Sequence, residues 1–120
     1  MSPERAEELI AIFPALFPSG SFFFECEDGW FDLLKECILE LKKSLDADPL
    51  DLDDDFSYYV VQVKEKYGTL RFYTSLSPER LEPIIRKAEK ASEITCEECG
   101  RFGRRRKGGW VRTLCDECVE

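Results

Sequence analysis

Tyr58-Tyr59-Val60-Val61-Gln62-Val63-Lys64-Glu65-Lys66-Tyr67-Gly68-Thr69-Leu70-Arg71-Phe72-Tyr73-Thr74 is the stretch around which the rest of the chain can be organised. Its first ten residues are β-branched and aromatic, and apolar and polar positions alternate most clearly from Val61 onward, the period of a half-buried strand. A second alternating run begins at Leu70. Gly68-Thr69 between them suits a tight turn, so the segment is expected to form a β-hairpin with Val61, Val63, Leu70 and Phe72 facing a core. A lone hairpin is marginal in water, so other elements must cover that face.

Helical patterns flank the hairpin on both sides. Ser2-Pro3-Glu4-Arg5 is a helix start: serine caps free amides, proline suits the first helical position, and glutamate favours the positive end. Leu9, Ile10, Ile12 and Phe13 supply its apolar side, and Pro14 and Pro18 end it. After the turn Ser19-Gly20-Ser21, the run Phe22-Phe23-Phe24-Glu25-Cys26 reads as a short strand or an ordered loop. Asp28 precedes the longest helical pattern, with Trp30, Phe31, Leu34, Cys37, Ile38, Leu41 and Leu45 at three- and four-residue intervals. Asp46-Ala47-Asp48-Pro49 closes it. The acidic run Asp51 to Asp55 reads as a solvated linker, because it lacks the glycine and terminal glutamate of a calcium-binding loop. Beyond the hairpin, Ser77-Pro78-Glu79-Arg80 repeats the first tetrapeptide and is read as a second helix start, leading Leu81, Ile84, Ile85, Ala88 and Ala91 to about Ser92. The expected fold is α+β, with helices packed on a β-hairpin in an acidic body of residues 1–95.

Residues 96–120 carry a different chemistry. Cys96-Glu97-Glu98-Cys99-Gly100 and Cys115-Asp116-Glu117-Cys118 pair two C-x2-C units at the spacing of a structural zinc site. Cysteines three apart can place both sulfurs on one ion when the backbone makes a tight knuckle, and Gly100 tolerates that turn. Four thiolates would close the shell around one Zn²⁺, leaving no position for substrate; a rubredoxin-like iron site is the main alternative. Gly108-Gly109 is expected to turn a zinc-ribbon hairpin, with Trp110 to Leu114 as its return strand. Cys26 and Cys37 stand outside the pairs. Cys37 lies on the helical stripe as a small buried hydrophobe, and acids beside Cys26 disfavour its thiolate.

The formal charge of −8 is uneven. Residues 1–95 hold 11 Lys and Arg against 20 Asp and Glu, or −9; residues 96–120 hold six against five, or +1. The cations Arg101, Arg104, Arg105, Arg106, Lys107 and Arg112, with Trp110, admit two readings: contact with a nucleic acid or other anion, or compensation of the metal-bound thiolates and docking onto the acidic body. There is no histidine, which removes the commonest general base and the usual ligand of open catalytic zinc sites. Neither a nucleophile elbow nor a phosphate loop occurs, and capping and solvation account for Glu25, Glu27, Asp28 and Asp32. A non-catalytic protein is expected. The acidic start and the lack of a long apolar run place it in the cytoplasm, where paired cysteines bind metal more often than they form disulfides.

Asp28-Gly29-Trp30-Phe31-Asp32-Leu33-Leu34, Lys64-Glu65-Lys66-Tyr67-Gly68-Thr69-Leu70-Arg71-Phe72-Tyr73, Gly108-Gly109-Trp110 and Thr113-Leu114-Cys115-Asp116-Glu117-Cys118 together resemble a family of short uncharacterised bacterial and phage proteins. The resemblance covers roughly residues 22–118. It implies a prokaryotic or viral cytoplasmic protein, with mobile elements as one source, and transfers no catalytic residue. The expected function is a protein-interaction module with Phe22, Phe23, Phe24 and Trp30 as candidate anchors. Inhibition of a host protein is its natural form if the source is a phage. The alternative is a nucleic-acid binder that uses the basic hairpin 101–112.

Overall fold

In the computed structural model, which describes residues 1–53 and 56–119, the expected hairpin forms, but its turn lies one residue earlier than Gly68-Thr69: two successive residues in the left-handed region make it, Tyr67 at φ 53° and Gly68 at φ 83°. This is the primed-turn geometry that matches strand twist. It joins β2 (Val60–Lys66) to β3 (Thr69–Thr74), with Val63 opposite Phe72 and Lys64 opposite Arg71. Val61 departs from expectation. The register slips between Val60 and Gln62, so Val60 and Val63 both point inward although three apart, and Val61 is left 53% exposed. A bulge supplies the extra residue that breaks the two-residue alternation.

The sheet has a third strand. Phe24–Glu25, numbered β1, pairs in parallel with Val63 and Lys64 of β2, giving the order β1-β2-β3. The opposite edge is closed by side chains of α3 (Glu82–Ser92). The Leu70 N–H donates to Ser92 Oγ at 2.9 Å, and the Phe72 N–H to Glu89 Oε2 at 3.1 Å. Edge amides that would otherwise template a further strand are thereby satisfied.

α1 (Pro3–Ile12) starts as its sequence indicates, with Ser2 Oγ accepting the Arg5 N–H. α2 (Phe31–Ala47) also covers the predicted stretch, but Asp28 does not cap it. A 3₁₀ turn at Asp28–Trp30 intervenes, and the Asp28 carboxylate accepts the Ser2 N–H instead. The second tetrapeptide is a further correction. Ser77-Pro78 does not begin α3; the Pro78 carbonyl accepts the Leu81 and Glu82 N–H groups in a turn, and the helix starts at Glu82 with Pro83 in its first turn. Had it started at Pro78, Pro83 would lie in the helix interior, where it lacks an N–H and its ring strikes the preceding turn. Asp54 and Asp55 of the acidic run, together with Glu120, lie outside the described residues.

One apolar core unites these elements. Trp30, Leu34, Ile38 and Leu41 at the start and on the inner face of α2 meet Leu9, Phe17, Phe24, Val63, Phe72 and Ile85, all buried. A separate cluster near the C-terminus contains Cys96, Leu114 and Cys115 as its buried members. So small a cluster cannot offset the entropy of ordering some 25 residues, so that segment needs another source of stability.

Ser92→Ala tests the edge closure. It leaves the buried Leu70 N–H without an acceptor, and urea unfolding is expected to show a loss of about 1–3 kcal/mol.

Candidate metal centre

The chain leaves α3 and turns at once into the first knuckle. The Gly100 N–H donates to the Cys96 carbonyl and the Cys96 N–H to the Arg101 carbonyl, a double closure that puts Gly100 at φ 83°. That conformation favours glycine. Strands β4 (Arg104–Arg106) and β5 (Arg112–Leu114) then form the ribbon hairpin, and a turn closed by the Cys118 N–H on the Cys115 carbonyl makes the second knuckle. The return strand is shorter than expected. Pairing stops where Arg106 faces Arg112, so Gly108 and Gly109 sit inside a five-residue loop and Trp110 lies outside the strand. Like charges on a terminal rung favour that stop.

All four Cys Sγ atoms lie within 4.8 Å of one another, with Cys99 and Cys115 Sγ 3.6 Å apart. A tetrahedron of metal–sulfur bonds of about 2.3 Å would separate its sulfurs by about 3.8 Å, so the cluster can hold one metal ion. The thiols are electrostatically unequal. Burial pushes the Cys96 thiol up, but backbone amides of Cys115, Cys99 and Glu98 directed at its sulfur outweigh that and hold it down at about 7. Cys118 is pushed up to about 12, first by bonding to Cys115 and then by burial and its other sulfur neighbours. Four thiolates this close repel one another, and a cation is what allows all of them to ionise.

The knuckle is pressed onto the body at Gly29. Its N–H donates to the Glu97 carbonyl at 2.6 Å, and a Cβ there would lie 2.2 Å from the Cys96 oxygen. Only glycine fits such an approach. Glu97, 4% exposed, uses its other polar groups as well: its N–H bonds the Thr113 carbonyl, Oε2 accepts the Glu27 N–H at 3.0 Å, and Oε1 faces Arg112 at 3.4 Å. The Trp30 indole donates to the Thr95 carbonyl at 2.9 Å. The fully buried Thr113 hydroxyl donates to the Gly68 carbonyl, and Arg105 donates through Nε and Nη2 to the Tyr67 carbonyl. Segments 1–95 and 96–120 therefore interlock through the hairpin turn and the start of α2.

Most hairpin cations face acids of this chain. Arg101 pairs with Glu117 at 2.6 Å, Arg106 with Asp116 at 2.7 Å, Arg104 with Asp116 at 3.7 Å, and Arg112 with Glu97 and Glu98. Arg106 holds the Asp116 carboxyl below its usual range. Lys107 is exposed in the loop.

The aromatic candidates separate. Trp30 and Phe24 are core residues at 0% and 1% exposure, and Phe22 is half-buried with its ring edge-on to Phe17 and Phe24. Trp30 and Phe24 are thus unavailable as surface anchors, for the same reason: each fills the core beneath the ribbon or the sheet. Phe23, 74% exposed, points the other way, as strand alternation requires. Trp110 is 75% exposed and lies over Arg112, whose guanidinium carbon is 5.8 Å from the ring centre. Cys26 and Cys37 are buried away from the cluster, and burial first, then neighbouring acids, pushes each thiol up to about 12. Gly29 and Glu97 escaped the sequence reading, because neither belongs to a ligand pattern. The only hint was Gly29 next to a tryptophan.

No helix among the described residues is long and apolar enough to cross a membrane. Comparison with family models, curated proteins and solved structures returned no match.

Gly29→Ala and Gly109→Ala form a contrasting pair. The first forces backbone apart at the knuckle and is expected to cost more than about 4 kcal/mol. The second meets nothing within 4 Å and should stay within about 0.5 kcal/mol of the parent in thermal denaturation.

Proposed function

We propose that the four thiolates hold one Zn²⁺ and that the chain is a non-catalytic, cytoplasmic protein-interaction module whose ribbon positions a binding surface. Zinc suits a closed shell of four soft ligands and needs no redox chemistry. In that role it supplies the folding energy that the three-residue ribbon cluster lacks, and it leaves no site for substrate. The absence of histidine agrees with a non-catalytic role.

The observation that carries the interaction reading is a cleft of about 360 Å³ that brings together two strongly exposed aromatics, Phe23 and Trp110. Glu25, Glu27, Glu65 and Glu97 line the space between them, with Arg112 and the Met1 ammonium, which donates to the Cys26 carbonyl, as the cations. Four carboxylates against two cations leave a surplus of two negative charges. Aromatic anchors beside surplus acid suit a partner segment carrying Lys or Arg among apolar residues, with the rings supplying area and the carboxylates supplying register and on-rate. The resemblance to bacterial and phage proteins makes a host protein the natural partner. The nucleic-acid reading of the basic hairpin is less well supported, since Arg101, Arg104, Arg106 and Arg112 already face acids of the same chain.

Two measurements test this. Metal analysis of the purified chain should return one zinc per molecule, with chelation abolishing the ribbon's amide protection while iron or no metal would refute the zinc assignment. In the second, Trp110 reports on the cleft because Trp30 is buried and contributes a constant background. A short Arg/Leu peptide is expected to shift the emission saturably, a Glu/Leu peptide to leave it unchanged, and Phe23→Asp to weaken the response at least about tenfold. An equal response from Phe23→Asp would remove the anchor assignment.

A further inference from the structure

A second depression, separate from the cleft, lies between β3, α3 and β4 and has the opposite charge. Its volume is about 540 Å³, and Arg71, Arg86, Lys90 and Arg105 line it with Glu89 and Glu93. In a chain with 25 acids and 17 cations, a lysine or arginine should readily find a carboxylate. These four do not: none makes an ion pair among the described residues, whereas the ribbon arginines 101, 104, 106 and 112 all do. Nearby, Lys64 lies directly across the ladder from Arg71 and is likewise without an ion pair. Like charges opposed on one sheet face destabilise the pairing.

One buried atom points to a missing partner, and a second, exposed one is free to join it. Arg71 Nε is buried and has no hydrogen-bond acceptor, a costly state for a charged donor. Arg105 commits Nε and Nη2 to the Tyr67 carbonyl, which leaves Nη1 for another acceptor. Of the two acids, Glu89 already has one carboxylate oxygen on the Phe72 N–H.

We propose that this groove is an anion site for a phosphate-bearing ligand of nucleotide size. Four cations against two carboxylates leave a surplus of two positive charges, which a phosphate or diphosphate balances and a single carboxylate does not. Guanidinium forks match phosphate oxygens in geometry, and the volume falls within the ordinary range for small-molecule sites. The phosphate can come from a free nucleotide or from a nucleic-acid strand. The site does not depend on which metal the thiolates hold or on the aromatic cleft.

The test is a two-dimensional amide titration of the full metal-loaded chain at fixed ionic strength with pyrophosphate, with ADP and with a short single-stranded oligonucleotide. Saturable shifts are expected at Leu70, Arg71, Lys90 and Arg105, and in the double variant R86Q/K90Q binding should weaken at least about tenfold. Both replaced side chains are exposed, so the variant should keep its fold. Tighter binding of ADP than of the oligonucleotide identifies a free nucleotide as the source; the reverse order, with a steep salt dependence, identifies a strand. If no probe gives saturable shifts, or if R86Q/K90Q responds like the parent, the site is not an anion site.

Discussion

The backbone of Gly29 lies so close to the first cysteine knuckle that no side chain fits between them, and much of the molecule is arranged around that contact. It fixes where α2 begins relative to the ribbon, and Trp30 follows as the buried side chain beneath the junction, its indole on Thr95. Glu97 completes the seam. A carboxylate buried to this degree is tolerable only because a backbone amide and a guanidinium satisfy its oxygens. The ribbon's own apolar cluster is too small to order it, so this seam carries part of that task, and an ion held by the four thiolates would carry the rest.

The hairpin turn is the second place where body and ribbon meet. Its carbonyls at Tyr67 and Gly68 would face water in an isolated hairpin, and here Arg105 and Thr113 take them up. One of the cations that make the C-terminal segment basic is thus used to bond the body's backbone, while most of the others offset acids beside the knuckles. The surfaces left over carry the unbalanced charge. An acidic cleft holds Phe23 and Trp110, and a cationic groove lies between β3 and α3. Each is built from both segments, since Trp110 and Arg112 contribute to the first and Arg105 to the second.

Much of the fold was legible because it rests on local periodicities. The stripe from Trp30 to Leu41, the hairpin and the Ser2 cap depend on spacing within a few residues; the stripe and the cap stand where the sequence indicates, and the turn falls at Tyr67-Gly68, one residue before the expected Gly68-Thr69. The misreadings share a cause. Ser77-Pro78 has the same local chemistry as Ser2-Pro3, but a second proline five residues on forbids the helix that the first would start. Val61 carries a strand residue's chemistry, yet a bulge turns it outward. β1 lies in the run expected as a short strand or ordered loop, but its parallel pairing with β2 could not be read, since two residues are too few for any alternation to show.

The candidate metal site divides in the same way. Cys96, Cys99, Cys115 and Cys118 were identifiable from sequence because a C-x2-C unit is a local geometric device: the knuckle is made by residues adjacent in the chain, and Gly100 marks it. Which aromatics are exposed, which arginines are spent on neighbours, and which acids gather around Phe23 could not be read there. Those properties are set by contacts across separations such as the 70 residues between Glu27 and Glu97. Sequence alone determined the main helices, the hairpin, the charge asymmetry and the four-cysteine set, all consequences of composition and short-range spacing. Only the tertiary structure decided that Trp30 is core while Trp110 is surface, because burial depends on what distant segments cover.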